Sequence, residues 1–314
     1  MKYLALAAAL CVAGPTLSGE YPKTVTDGRG VEVTIDAAPK RIAALWGGAA
    51  DLLVALGLPV AGVTTYETEM PVYLGDAMKG AIDLGDLTAP SLELMAVSNF
   101  DLTIGMTRYN APYADDIGKF SKFISYEGFN IEQSLTAMAA LGEVLGASDK
   151  VASLNSDFLA LIEDMARKAP AEPREALFIW SFQNTLYGYK ENLLTAELIS
   201  RIGVINPLGR ADESADPNTA FVILEAEDLL KIDPDVIFMF ISHGGPAAFQ
   251  PAYERLKAYK NGEIYSLGYQ YSQPAGPIAR ELVLREAAHL IYPDVFEAPE
   301  MPDAARAVPL EFAR

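Results

Sequence analysis

Apolar runs of strand length alternate with longer amphipathic runs along most of this chain. Four of the apolar runs, rich in Ile, Leu, Val and Phe, lie at residues 42–46, 101–105, 176–180 and 236–241. A glycine-led amphipathic helix at 49–56 follows the first run, and a further strand begins near Val60. A strand, a helix and a strand in succession favour parallel pairing. The pattern therefore predicts an α/β fold.

The longest amphipathic run covers residues 149–168 and predicts the longest helix. Its apolar positions recur at spacings of three and four, and they are Val151, Leu154, Phe158, Leu161, Ile162 and Met165. A helix of this length spans roughly 30 Å, and a proline-rich stretch at 169–173 ends it. Because it separates two α/β-patterned halves, we predict that it joins two lobes with a ligand cleft between them. An ordinary packing helix of one domain is the alternative.

This helix sets the predicted domain organisation. Residues 1–19 form a signal peptide, 20–148 the N-terminal lobe, 149–169 the connecting helix, 170–296 the C-terminal lobe and 297–314 a tail along the surface. After the second lobe's first strand, a turn is also expected through Asn184 and Tyr187 to Tyr189.

The first twenty residues have the layout of a cleaved secretory signal. One lysine precedes an apolar run too short to span a bilayer, and small residues follow, so cleavage is expected near Ser18. Cys11 is the only cysteine, and Leu10 precedes it where a lipoprotein signal has a small residue. We therefore expect a secreted protein with no lipid anchor and, after cleavage, no disulfide or thiolate chemistry.

The charge balance limits the partners. The chain has 42 acidic and 24 basic residues and a net charge of -18. Nucleic acids and anionic membrane surfaces attract clustered Lys and Arg, so neither is expected as a partner. Apolar residues make up 51% of the chain, which is enough for substantial cores.

Two short segments of the chain resemble each other. In SLELMAVSNFDLTIG at 91–105 and LEAEDLLKIDPDVIFMF at 224–240, a glutamate begins a short helix and an aspartate eight residues later opens a strand. The glutamates are Glu93 and Glu227. This repeat predicts two similar halves, each with a glutamate at the same structural place.

Known catalytic signatures do not occur in the sequence. It has no G-x-S-x-G, H-E-x-x-H, Gly-rich phosphate loop or Cys-x-x-Cys motif, and its two histidines argue against a multi-histidine metal site. His289 lies in a predicted helix and is expected to be structural. His243 follows an apolar strand and precedes two glycines, where α/β sheets place binding loops. Three acidic residues, Asp212, Glu213 and Asp216, lie close together in one predicted loop. They allow the alternative of a secreted hydrolase with carboxylate catalysis, or they belong to a solvated connection without a catalytic role.

Aromatic residues gather at the ends of the predicted strands and in the loops that follow. The carboxyl ends of parallel strands meet at one edge of a sheet, so two facing lobes would share an aromatic-lined cleft. Each aromatic ring could instead cover the core of its own lobe and not face a ligand. Arg108, which follows the strand at 101–105, either pairs with ligand oxygens or lies solvated at the surface. The candidate ligand-binding residues are Trp46, Tyr66, Arg108, Tyr109, Trp180, Tyr187, Tyr189, His243, Tyr269 and Tyr271.

Six motifs, taken in order, carry a resemblance to a known family. They are PKRIAAL at 39–45, GAADLLVALG at 48–57, VAGV at 60–63, DLG at 83–85, SLEL at 91–94 and LEAEDLLKIDPDVI at 224–237. In order and spacing the chain resembles, from about residue 25 to 296, the periplasmic binding proteins that deliver iron-siderophores, haem or cobalamin to ABC importers.

The resemblance implies a monomeric, non-catalytic periplasmic protein without a cofactor, in which one long helix joins two α/β lobes around the ligand. It also implies that Glu93 and Glu227 dock against arginine pockets of the importer's membrane permease, since Arg–carboxylate pairs are strong and bidentate. The alternative is that both glutamates only favour the helix N-terminus.

The expected ligand is a ferric siderophore. In the ferric-hydroxamate-binding members a tyrosine at the position of Tyr109 touches the ligand, whereas their arginine ahead of the docking glutamate corresponds here to Leu87. The same fold binding cobalamin or haem is the nearest alternative, with Tyr66, Tyr109 or Tyr187 as an axial ligand of the haem iron. A sensor that binds ligand without transport is another.

Overall fold

The computed structural model describes residues 20–66, 69–183, 185–212, 220–242 and 251–312. The predicted signal peptide and His243 lie outside these ranges. An antiparallel hairpin of β1 (Lys23–Thr26) and β2 (Glu32–Ile35) comes first. Its turn is held by Asp27, whose carboxylate accepts the backbone N–H of Arg29 and of Val31.

The first of two six-stranded sheets confirms the predicted strand–helix–strand unit. Its order is β6-β5-β4-β3-β7-β8, and only the edge strand β6 is antiparallel. Ala43 pairs with Gly62 across the parallel pair that α1 (Gly47–Leu56) connects. The strands are β3 (Ile42–Ala44), β4 (Gly62–Thr65), β5 (Ile82–Asp86), β6 (Ala89–Pro90), β7 (Leu102–Met106) and β8 (Lys122–Tyr126).

The second sheet has the order β11-β10-β9-β12-β13-β14, with β9, β12 and β13 parallel and the other pairs antiparallel. The expected turn through Asn184 and Tyr187 to Tyr189 is wrong over 185–189, because these residues form a strand. Gln183 makes the reversal with a φ of 48°, which leaves the β-favouring residues that follow free to pair. The strands are β9 (Ala176–Phe182), β10 (Thr185–Tyr189), β11 (Phe221–Leu224), β12 (Val236–Ile241), β13 (Ile264–Ser266) and β14 (Val308–Pro309).

The helices follow the predicted positions within a few residues, apart from the one expected at 249–257. Residues 243–250 lie outside the described ranges, and Pro251–Arg255 forms a 3-10 helix. The remaining helices are α2 (Leu92–Val97), α3 (Thr107–Asn110), α4 (Ala114–Ile117), α5 (Ile131–Val144), α6 (Ser148–Lys168), α7 (Leu194–Ser200), α8 (Ala226–Ile232), α9 (Lys257–Asn261) and α10 (Pro277–Ile291).

The long helix α6 lies in the chain between the two sheets. Val151, Phe158, Ile162 and Met165 are buried, as the spacing predicts, and the opposite face is exposed. The helix contains no proline or glycine. Its C-cap is Ala169, the residue before Pro170. The domain boundaries placed at its two ends stay a prediction.

The C-terminal segment does more than lie along the surface. Residues 308–309 add β14 to the edge of the second sheet beside β13. Ala305 is completely buried, and the ring of Phe312 lies 5.4 Å from that of Tyr253. The expected surface tail is therefore corrected: the segment covers a sheet edge that would otherwise expose its backbone groups.

The repeated segment has the same structural role in both halves. Asp101 precedes β7, and its carboxylate accepts the backbone N–H of Lys40 and of Arg41, just ahead of β3. Asp235 precedes β12, and its carboxylate accepts the backbone N–H of Glu175, just ahead of β9. Each aspartate thus ties the start of its own strand to the start of the neighbouring parallel strand.

A buried carboxylate joins α1 to α10. Asp51 is fully buried, and it accepts N–H groups of Ile278 and Ala279 at 2.8 and 2.7 Å and the Tyr73 hydroxyl at 3.0 Å. Position 276 requires glycine, because a Cβ there would collide with the Asp51 carboxyl group. Burial raises the pKa of Asp51 from 3.8 to about 6 even though these hydrogen bonds favour the anion.

This buried carboxyl group makes stability depend on pH. Because the pKa of Asp51 is higher in the folded than in the unfolded chain, its protonation favours folding. The stabilisation is complete below about pH 4, is lost as the pH rises through about 6, and amounts to about 3 kcal/mol at most. Denaturant titrations of the natural protein and of Asp51→Asn measure this effect. As the pH rises from about 4 to about 6, we expect the free energy of unfolding of the natural protein to fall relative to that of the variant.

The matched control for this measurement is Asp294→Asn, which changes an exposed aspartate after α10. Its stability should follow that of the natural protein at every pH. A constant difference between the natural protein and Asp51→Asn across the whole range would contradict the prediction.

Candidate functional site

A cavity of about 420 Å³ lies where the carboxyl ends of strands from both sheets meet. Strand β7 and the α3 helix that follows it supply one wall, and the β9–β10 hairpin supplies the facing wall. Loops after β8 and before α10 close the bottom. The lining residues described are Trp46, Tyr66, Met106, Arg108, Tyr109, Gly128, Phe129, Trp180, Phe182, Tyr187, Tyr189, Leu193, Leu194, Thr195, Phe221, Ser272, Gln273, Pro274 and Ala275.

Seven of the ten candidate ligand residues line this one cavity: Trp46, Tyr66, Arg108, Tyr109, Trp180, Tyr187 and Tyr189. Two others do not reach it. Tyr269 and Tyr271 are 1% and 0% exposed, in a 3-10 helix that packs into the core. Tyr269 stacks on Tyr73 and Tyr271 on Phe238, so their cleft position is corrected to a core position. The tenth candidate, His243, lies outside the described residues.

The wall built by the β9–β10 hairpin is aromatic. Trp180 lies with its ring centroid 5.3 Å from that of Phe182 and 5.2 Å from that of Tyr187. Its indole N–H donates to the Ser242 hydroxyl at the end of β12, which fixes the ring. Such stacked rings present broad apolar faces while the hydrogen bond satisfies the polar edge.

Tyr189 completes this wall from the end of β10. Phe221 of the edge strand meets it edge-on, with the ring centroids 4.9 Å apart. Burial raises the pKa of the Tyr189 hydroxyl, and nearby Tyr109 raises it further, whereas Arg108 lowers it. The hydroxyl is therefore neutral at physiological pH and is available as a hydrogen-bond donor.

The facing wall carries a cation on a rigid turn. Arg108 lies in α3, directly after β7, with its guanidinium 5.2 Å from the ring centroid of Phe129 and 6.0 Å from that of Tyr109. Fully buried Asn110 accepts the Met106 N–H and donates to the Leu87 carbonyl. These bonds hold the short helix against the sheet.

Leu87, the residue that the sequence resemblance matches to a ligand-contacting arginine, is not part of the described cavity lining. It is 1% exposed and belongs to the core of the first sheet.

The loop before α10 joins both halves at the bottom of the cavity. Gln273 accepts the Gly47 N–H at 3.2 Å, and the Ser134 hydroxyl donates to the Ala275 carbonyl at 2.6 Å. From the other side the Thr195 hydroxyl donates to the Tyr271 carbonyl at 2.7 Å. Elements from both sheets therefore fix the position of this loop.

Several lining residues were not identified from the sequence. Phe129 follows β8 and obeys the same strand-end rule that found the other aromatics. Phe221 and the loop at 272–275 have no such local signal, because only the folding of distant segments brings them to the cavity.

The two glutamates of the repeat are both exposed and occupy the same position, the second residue of α2 and of α8. Ser91 accepts an N–H of α2 through its side chain, and Glu225 with Asp228 forms a capping box on α8. The helix starts are thus satisfied by other residues, and neither Glu93 nor Glu227 is needed as a cap.

Two further properties concern only the described residues. No helix among them has both the length and the apolar character needed to cross a bilayer. Within the same ranges, no group of three or more His, Cys, Asp or Glu side chains is placed to hold a metal ion. Of the acids named for a hydrolase, Asp212 is described, whereas Glu213 and Asp216 lie outside.

Curated relatives match the chain over most of its length. A putative ABC transporter substrate-binding lipoprotein, YhfQ of Bacillus subtilis strain 168, is 26% identical over 273 residues, or 81% of this chain and 83% of that one. The achromobactin-binding periplasmic protein of Dickeya dadantii is 24% identical over 80% of this chain and 86% of its own. Because the first is named a lipoprotein, the expectation that lipid anchoring is absent gains no support.

A solved structure shows the same fold. The siderophore-binding protein BauB, bound to a complex between two molecules of acinetobactin and ferric iron, superposes with a TM-score of 0.71 at 20% identity. The match covers 86% of this chain and 99% of that one. The predicted α/β fold of the two-lobed type is confirmed.

The family itself is shown by a sequence profile. Residues 42–271 match the profile described as periplasmic binding protein. This span contains both sheets' parallel strands and the whole lining of the cavity except its last four residues. Membership makes the chain a binding protein and not an enzyme, as the motifs indicate. The chain belongs to the periplasmic binding protein family.

Proposed function

We propose that this protein captures a ferric siderophore in the cavity between its two sheets and delivers it to the permease of an ABC importer. The observation that carries the proposal is the cavity of about 420 Å³, which is walled by aromatic rings and contains a fixed arginine. Its volume lies within the range of about 300–1,000 Å³ that is usual for small-ligand sites.

The names of the relatives support an iron chelate over cobalamin or haem. One relative is an achromobactin-binding periplasmic protein, and the solved structure of similar fold holds ferric iron with two acinetobactin molecules. These names say what those proteins bind. They favour the chelate here because those proteins are similar to this chain over most of its length.

Different residues of the walls make the apolar and the polar contacts with the chelate in this proposal. Trp180 and Tyr187 offer apolar faces to the organic part of the chelate and exclude water from it. Arg108 and the hydroxyls of Tyr109 and Tyr189 pair with its oxygens. Tyr66, which stacks on Phe240 at 6.3 Å, extends the apolar surface at the mouth.

We further propose that Glu93 and Glu227 dock the loaded protein. Each is exposed at the second position of a short helix, one on each half of the molecule, and each helix start has its own cap. One carboxylate on each half suits a permease of two similar subunits with arginine pockets. In this proposal the protein acts as a periplasmic monomer, with residues 149–169 joining the lobes at 20–148 and 170–296.

Ligand binding should depend on Trp180. We expect ferric siderophores to quench tryptophan emission in the natural protein, and we expect Trp180→Ala to weaken binding about tenfold or more through the loss of a stacking face. The remaining residue, Trp46, reports binding in this variant, since the chain has two tryptophans. Tyr259→Ala, a truncation on α9 away from the cavity, should leave the affinity unchanged.

The same titration identifies which class of ligand the protein binds. Ferric siderophores, haem and cobalamin are compared as a panel, and the absorbance of the purified protein is recorded first. A sharp Soret band, or tight binding of haem or cobalamin with no response to any ferric siderophore, would contradict the proposed function.

Delivery should depend on the two glutamates together. In cells that rely on this importer, we expect Glu93→Arg with Glu227→Arg to abolish uptake, because two attractive contacts become repulsive, while the purified variant keeps its ligand affinity. Glu163→Arg on the exposed face of α6 is the matched charge reversal and should retain uptake. Normal uptake by the double variant would exclude the docking role.

A further inference from the structure

The cavity has very little positive charge. Among its described lining residues, Arg108 is the one lysine or arginine. The four internal segments outside the described ranges, at 67–68, 184, 213–219 and 243–250, contain no lysine or arginine in the sequence. These segments therefore add no lysine or arginine to the one cation of the described lining.

A carboxylate is bound to the backbone of this arginine and is affected by its charge. Glu127 is partly buried in the loop after β8, and the next two residues, Gly128 and Phe129, both line the cavity. The Arg108 backbone N–H donates to the Glu127 carboxylate, and the guanidinium charge also acts on it. The other carboxylate oxygen, Oε2, is buried without a hydrogen-bond partner.

The buried position of this carboxylate has an energetic consequence. Burial raises the pKa of Glu127, and it outweighs the lowering by the Arg108 N–H and guanidinium. The charge of Arg108 nonetheless acts on this carboxylate, so the two charges partly offset each other whenever Glu127 is ionised. A ligand that enters the cavity then meets a pair of opposite charges with a net charge near zero.

Binding in such a site has a high free-energy cost for a highly charged ligand. Moving an ion from water into a low-dielectric cavity has a large desolvation cost, which only opposite charges or several hydrogen bonds offset. The chain as a whole, with a net charge of -18, adds long-range repulsion of anions. One arginine that is already partly neutralised does not compensate several negative charges.

Resting on the proposed function, we infer that the preferred ligand is a ferric chelate of near-zero net charge with an aromatic or apolar rim, and that Glu127 sets this charge limit by offsetting Arg108. Chelates with three monoanionic bidentate groups, such as hydroxamates, belong to this class because they neutralise the ferric ion. Complexes with three dianionic catecholates, which carry three negative charges, do not.

Ferric chelates of graded net charge provide the test. The ferric complexes of one linear trihydroxamate, with its terminal amine free, acetylated or succinylated, share their iron coordination and are cationic, neutral and anionic. A ferric tris-catecholate complex extends the series to a trianion. Affinities are measured on the purified full-length protein by tryptophan quenching at neutral pH and low ionic strength. We expect the trianion to bind at least tenfold more weakly than the neutral complex.

Glutamine at position 127 isolates the carboxylate charge. Glu127→Gln retains an acceptor for the Arg108 N–H, and we expect it to improve the affinity for the trianion, relative to the neutral complex, by about tenfold. Arg108→Gln should change this ratio in the opposite direction. Glu172→Gln changes an exposed residue ahead of the amino end of β9, whereas the cavity lies at the carboxyl ends of the strands. This variant should not change the ratio. The measured ratio separates a charge effect from a loss of packing, which would weaken all complexes alike.

The possible results distinguish the inference from the proposed function. If ferric chelates bind but the trianion equals or exceeds the neutral complex, or if Glu127→Gln alters all complexes by the same factor, the inference is wrong and the proposed function stands. If no ferric chelate of either series binds, the proposed function fails and the inference fails with it.

Discussion

Buried carboxylates at helix N-termini hold the two halves of this molecule together, and the cavity depends on them. Asp51 of α1 accepts the first N–H groups of α10, and Glu197 of α7 accepts the Ile131 N–H at the start of α5 at 2.8 Å. In both pairs the acceptor and the helix come from different halves of the chain. The free N–H groups and the positive end of a helix dipole favour a carboxylate there, so each contact compensates part of its own burial.

These contacts position three elements that line the cavity. Helix α1 starts beside Trp46, α7 contributes Leu194 and Thr195, and the loop that leads into α10 closes the bottom. A displacement of one half would break hydrogen bonds to fully buried groups, which is expensive. The cavity is therefore largely preformed, and its charge and shape can be interpreted as those that a ligand meets.

The sequence carries local information well and long-range information poorly. Parallel pairing around α1, the extent of α6 and the equivalence of Asp101 and Asp235 all follow from short patterns, and the structure contains them. The strand at 185–189 was missed because its reversal depends on a residue with positive φ and not on a glycine or proline signal. Tyr269 and Tyr271 look like cleft aromatics in the sequence, but only the tertiary packing on Tyr73 and Phe238 reveals them as core residues.

The repeat explains the frame of the site, whereas recognition arises where the two copies differ. After β7 the chain forms α3 and presents Arg108 beside Glu127, whereas the corresponding end of β12 leads to Ser242, which only orients Trp180. Among the described lining residues, the second half supplies no charged side chain. In the proposed function the charged contact with the chelate therefore comes from Arg108 of the first half, whereas the β9–β10 hairpin contributes aromatic faces and the Tyr189 hydroxyl. In the proposed function, the asymmetry of the two strand ends, and not the symmetry of the fold, determines how the ligand is held.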